Sequence, residues 1–107
     1  MRKGIVKVSG RKAGLIEEVE SGFRFSYDEG YLSCDESQPV SLTLPLREVA
    51  YESRHLFAFF SGLVAEGALQ DLQCRMFQID PDDVFGLLLA TASSDVIGCV
   101  TVEAVEE

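Results

Sequence analysis

The sequence predicts an α+β fold: a small antiparallel sheet, made from an N-terminal meander and a C-terminal strand, packed with about three helices in a single domain over residues 1–107. Three observations lead there. Apolar residues alternate with polar ones from Gly4 to Tyr27, the period lengthens to a helical one after Leu46, and alternation returns near the end of the chain. Strands grouped first and helices after them argue for α+β rather than a doubly wound α/β sheet. The third observation is size and balance: 107 residues, 47% apolar and 25% charged, suit one globular unit with one core.

The elements follow in order. Residues 4–9, GIVKVS, read as a first strand, Gly10 to Gly14 as a turn and Leu15 to Val19 as a second strand. Glu20-Ser21-Gly22 supplies the next turn, with a glycine suited to positive φ. In GFRFSYD, Phe23, Phe25 and Tyr27 share one side and Arg24, Ser26 and Asp28 the other, which predicts a half-buried third strand and an antiparallel meander. Gly30 to Ser37 is expected to be loop. Pro39 to Leu46, PVSLTLPL, alternates again and reads as a short strand closed at both ends by prolines, which cannot donate to a ladder and so resist edge pairing.

Helical spacing then takes over. Ser53 is suited to cap a helix whose Leu56, Phe59, Phe60 and Leu63 fall at i, i+3, i+4 and i+7, with Gly62 or Gly67 able to end or interrupt it. A second helix is expected over Ala68 to Phe77, with Leu69, Leu72 and Met76 on one side. The third has Asp80 as N-cap, Pro81 at the first helical position, Asp82 and Asp83 at the positive end of the dipole, and Ile79 and Val84 as a hydrophobic staple. It carries Phe85, Leu87, Leu88 and Leu89 inward. After a polar break at Thr91 to Asp95, Ile97 to Glu103 forms the last strand, with Val100 and Val102 on one face.

Composition bounds the function. The net charge is -9, and Arg2, Lys3, Lys7, Arg11 and Lys12 all precede the first acid, Glu17. A surface this acidic repels phosphate backbones, so no direct nucleic-acid partner is expected, although the basic first hairpin could touch phosphate locally. No apolar run reaches the length of a membrane span and no leader is recognisable in MRKGIVKVSG, so a soluble, cytoplasmic, complete gene product is expected. Cys34, Cys74 and Cys99 have no paired ligand spacing, with or without His55, and read as small apolar residues. No metal or cofactor is expected.

No constellation for catalysis emerges. His55 is the only histidine and reads as a surface residue, and the placement of Asp80, Asp82 and Asp83 around Pro81 is explained by capping. Gly10-Arg-Lys-Ala-Gly14 lacks a phosphate-loop ending, and the glycine loop, HRD and DFG of a kinase are missing, as is G-x-S-x-G.

Several blocks, in order, resemble one family. These are the hairpin with Gly14-Leu15, GFRFSYDEGYL, PVSLTLPL, the F-F-x-x-L element at Phe59 to Leu63, DDVFGLLL, and D-x-x-G-x-V at Asp95 to Val100. Together they are similar to the small N-terminal subdomain of HipA-type serine/threonine kinases, the toxins of certain bacterial toxin–antitoxin systems. Two connectors depart from the family pattern: Ser61-Gly-Leu-Val-Ala-Glu-Gly67 replaces N-L-L-P-[ED], and Ala92-Ser93-Ser94 stands where a glycine is usual. The resemblance implies a stand-alone HipS-like antitoxin, not an enzyme, whose partners are a HipT-like serine/threonine kinase and a HipB-like helix-turn-helix protein. The alternative is a structural subunit that completes the N-lobe of a split HipA-like kinase without inhibiting it. The residues expected to face the kinase are Leu63, Val64, Ala65, Glu66, Gly67 and Leu69. A free-standing phosphate or nucleotide binder using the basic hairpin is a third reading.

Overall fold

The computed structural model describes residues 2–34, 37–92 and 100–105. The chain runs β1 (Lys3–Val8), β2 (Arg11–Val19), β3 (Gly22–Tyr27), α1 (Glu29–Leu32), β4 (Tyr51–Ser53), α2 (Ala58–Ser61), α3 (Gly67–Phe77), α4 (Val84–Thr91) and β5 (Val100–Ala104). All five strands join one antiparallel sheet in the order β4-β3-β2-β1-β5. The predicted α+β class, the meander and the returning C-terminal strand are therefore present. Residues 97–99 of the expected last strand lie outside the described residues.

The first hairpin is tighter than expected. Ser9 (φ 51°) and Gly10 (φ 84°) both sit at positive φ, the geometry of a two-residue turn whose twist matches its strands. Arg11 therefore pairs directly with Val8, and β2 begins four residues before the predicted Leu15. The register slips between Val6 and Lys7, leaving Ala13 as the extra residue of a bulge, fully buried, with its carbonyl accepting from the Asp28 amide at 2.8 Å.

One face of the sheet is apolar and the other is mostly polar and charged, with Ile5 and Leu15 paired on it. Val6, Ile16, Phe25, Tyr27, Val100 and Val102 are buried on the inner face. Phe25 lies at the centre of an aromatic group, 4.9 Å from the ring of Tyr27, 5.4 Å from Phe60 and 6.4 Å from Tyr51. Phe85, Leu87 and Leu88 of α4 complete the core, with Phe85 edge-on to Phe23 at 5.3 Å. On the outer face Lys3, Glu17, Arg24 and Glu52 are successive cross-strand neighbours over four strands, an alternating row of charge joined at 3.8, 3.4 and 3.1 Å. Each exposed pair adds little to stability, but the row favours one register over its slipped alternatives.

Pro39 to Leu46 is a correction. It forms a tight turn with a single bridge between Ser41 and Leu44, not a strand. Val40 and Leu44 are buried, whereas Leu42 at the tip is 97% exposed and Leu46 is exposed beside it. The reason is local. The Ser41 hydroxyl accepts from the Thr43 amide at 3.2 Å and the Ser41 carbonyl from the Leu44 amide at 3.1 Å, so side chain and backbone close a turn instead of a ladder. The segment is then tied to the sheet by Tyr27 of β3 and Tyr51 of β4, and Tyr31 of α1 holds Gln38 just before it. Tyr27 Oη accepts from the Val40 amide at 3.1 Å and donates to the Leu44 carbonyl; Tyr31 Oη donates to the Gln38 carbonyl at 2.5 Å; Tyr51 Oη donates to the Pro45 carbonyl at 2.6 Å.

Other elements differ from expectation. Glu29–Leu32 makes one helical turn inside the expected loop, burying Tyr31. Ser53 ends β4 rather than capping a helix, because its hydroxyl accepts from the His55 amide two residues on, at 3.3 Å. The helix that follows is only Ala58–Ser61, and of its expected stripe Phe60 is buried while Leu56, Phe59 and Leu63 are partly so. Finally, α4 starts at Val84 rather than Pro81. Asp80 Oδ1 accepts from the Asp82 amide at 2.9 Å and forms a turn, and the cap is Asp83, whose Oδ1 accepts from the Gly86 amide at 3.1 Å.

Asp83 takes this role with help from the other end of the chain. Arg2 donates to Asp83 Oδ2 at 2.8 Å and Oδ1 at 3.0 Å, and to Glu18 Oε2 at 2.9 Å, while its guanidinium lies 5.4 Å from the ring centre of Phe85. These charge-assisted bonds to Arg2 hold both carboxyls below their ordinary range. The contribution is thus complete above the unfolded carboxyl range and is lost as pH falls through the lower folded values. Stability should be flat from pH 7 to about 5 as far as this cluster is concerned and fall below that, with a shallower acid-side decline in Arg2→Met, read by urea unfolding at each pH. Tyr27→Phe should cost about 2 kcal/mol by the same measurement, since it leaves the Val40 amide and Leu44 carbonyl without their partner. An unchanged midpoint would contradict the clamp.

Candidate partner-binding surface

The basic hairpin is not a free cationic patch. Arg2 is paired as above, Lys3 with Glu17, Lys7 with Glu103 at 3.1 Å and Lys12 with Asp28 at 3.7 Å, while the Arg11 guanidinium lies 5.4 Å from the Tyr31 ring centre. The phosphate-binding reading of this hairpin is weakened, because Arg2, Lys3, Lys7 and Lys12 are paired with carboxylates of the same chain. His55 is exposed, in a shallow surface depression with Arg54, Glu18 and Phe23. Among the described residues no group of three or more His, Cys, Asp or Glu is placed to hold a metal ion, and Cys99 lies outside them. No described helix is long and apolar enough to cross a membrane.

The surface that stands out is apolar. After α2 the chain passes through Leu63 to Glu66 and enters α3 at Gly67, whose φ of 66° turns the backbone into the helix. Within this connector the expected partner-facing residues divide. Val64 is 7% exposed and belongs to the core, and Leu63 packs partly against it. Ala65 is half-buried, and Glu66, Gly67 and Leu69 are exposed.

Helix α3 then does what few helices of globular proteins do. A helix usually turns its apolar stripe to the core. This one buries only Cys74, whereas Leu69 is 54% exposed, Leu72 53%, Met76 65% and Phe77 46%. The predicted apolar side of the helix therefore exists but faces outward. The helix still ends cleanly, with Gln78 in the left-handed conformation (φ 56°) and the Ile79 amide donating to the Cys74 carbonyl at 2.9 Å. An exposed contiguous stripe of this kind is the usual mark of an interaction surface. Leu69 was foreseeable as part of it; Leu72 and Met76 were legible as the same stripe, but not their exposure.

Comparison with known proteins gives this surface a context. The HipA N-terminal domain family model matches residues 5–103. A Haemophilus influenzae protein described as uncharacterized is 33% identical over 103 residues, covering 96% of this chain and 92% of its own. A solved structure of the N-terminal domain of HipA toxin superposes with a TM-score of 0.76 at 31% identity, covering all of this chain and 95% of that one. This chain belongs to the HipA N-terminal domain family.

The division of the connector has a measurable consequence. Val64→Asp should cost about 3 kcal/mol or more, because it buries an unpaired charge, whereas Leu69→Asp should stay within about 1 kcal/mol of wild type. Urea unfolding of the two variants decides it; equal penalties would mean that Leu69 is core.

Proposed function

We propose that this chain is a non-enzymatic antitoxin that binds and neutralises a HipT-type serine/threonine kinase toxin in the bacterial cytoplasm. The observation that carries the reading is the outward-facing apolar stripe beside the connector 63–67, in a domain similar to the N-terminal domain of HipA toxin. A domain at the N-terminus of a toxin has a face suited to the rest of that toxin. In this reading the same face binds the kinase in trans. Leu63, Ala65, Glu66, Gly67 and Leu69 make the contact in this reading, and Val64 holds the connector in place from beneath. A stable complex of this type buries roughly 1,200–2,000 Å². A HipB-like helix-turn-helix protein is a further partner in a ternary complex. The acidic surface and the internally paired cations support protein rather than nucleic acid as the direct ligand.

The test is co-expression with the cognate kinase and a phosphorylation assay with purified components. Wild-type chain should restore growth, suppress phosphoryl transfer at about one equivalent, and transfer no phosphate alone. Leu63→Glu combined with Ala65→Glu should weaken suppression by about tenfold or more. If the kinase is instead more active with the chain present, the chain is a subunit that completes the kinase and the antitoxin reading is wrong.

A further inference from the structure

We infer that α3 acts as a helix-in-groove ligand, with Leu69, Leu72 and Met76 seated in an apolar groove that has a basic margin on the catalytic part of a HipA-type kinase. The inference rests on the function proposed above and assigns the main contact to the helix rather than to the connector.

The spacing is the first argument. Leu69, Leu72 and Met76 stand at i, i+3 and i+7, the anchor pattern with which an amphipathic helix lies in an apolar groove. The helix is complete without the partner. It buries Cys74 toward its own domain and leaves the anchors outside, so the free chain already presents them in their binding conformation. A pre-ordered helix saves the ordering cost that a disordered segment meets on binding.

Charge narrows the occupant that the proposed function supplies. Between Glu66 and Asp82 the sequence carries the carboxylates Glu66, Asp71, Asp80 and Asp82 against the single cation Arg75. None of these four acids is in an ion pair with a described residue, whereas Arg2, Lys3, Lys7, Lys12 and Arg24 are each paired with acids elsewhere. The unbalanced charge in α3 and the segments that flank it is therefore negative, and a groove that complements it carries lysine and arginine at its margin. The same charge argues against a second copy of this chain. A two-fold contact through α3 would bring the same excess of acid from both copies to one interface.

The test measures affinity and association rate between the full chain and the purified kinase. Leu69→Glu with Leu72→Glu should reduce affinity about 100-fold, with helix content and unfolding midpoint unchanged. Leu72→Gln with Met76→Gln is the second variant, milder for the fold, and should reduce affinity about tenfold. Glu66→Lys with Asp71→Lys should slow association about fivefold or more at low salt and flatten its salt dependence, with little change in dissociation rate. Wild-type affinity in the Leu69/Leu72 and Leu72/Met76 variants, while the Leu63/Ala65 variant loses binding, would overturn the helix assignment and leave the antitoxin reading intact. No binding by the wild-type chain would remove both. A wild-type dimer in sedimentation that the Leu69/Leu72 variant dissolves would make a second copy the occupant and overturn the inference.

Discussion

A five-stranded sheet can hide its apolar face only beneath other apolar groups, and this chain has little helix with which to do it. Two of its helices are single turns, Glu29–Leu32 and Ala58–Ser61. The cover is therefore divided. Aromatic rings of Tyr27, Tyr51 and Phe60 gather around Phe25 over one side, and α4 with Phe85, Leu87 and Leu88 closes the other. Once these are in place the inner face is covered, and the 11-residue α3 is left with its apolar stripe outside. The exposed stripe follows from how the core is completed.

Two polar devices hold this arrangement. The tyrosine hydroxyls fix the Pro39–Leu46 turn, which lacks a ladder of its own, and thereby hold Val40 and Leu44 in the core. At the other end Arg2 bridges β2 and the start of α4, satisfying the cap residue and stacking near Phe85. Gly86 is part of this device: a Cβ there would come within 2.4 Å of Asp83 Oδ2, so a side chain would displace the cap. Both devices join segments distant in sequence, and both position elements on which the domain's surface depends.

The same distance explains what was legible in the sequence. Strands β1 to β3 were readable because half-burial writes itself as alternation, and α3 because its helical spacing is local. The Pro39–Leu46 segment was misread because alternation cannot distinguish a strand from a turn whose partners, Tyr27 and Tyr51, come from elsewhere. Asp80 and Asp83 are equally suitable caps by type; Arg2, 81 residues away, tips the choice. Strand β4 has only three residues and leaves no pattern to read. For the binding surface, the stripe of α3 was visible but not which way it faced, since an apolar helix face looks the same whether its own core or another protein covers it.

Membership of the HipA N-terminal domain family and an outward-facing apolar helix motivate the central proposal, that α3 is the part of this molecule a kinase covers. Hydrogen exchange of the full chain with and without the cognate kinase tests it most directly. The account predicts that amides of Gly67–Phe77, held in the free chain only by a lightly packed helix, become strongly protected in the complex. A complex that forms while exchange in α3 is unchanged, with protection confined to the sheet or the Pro39–Leu46 turn, would contradict it.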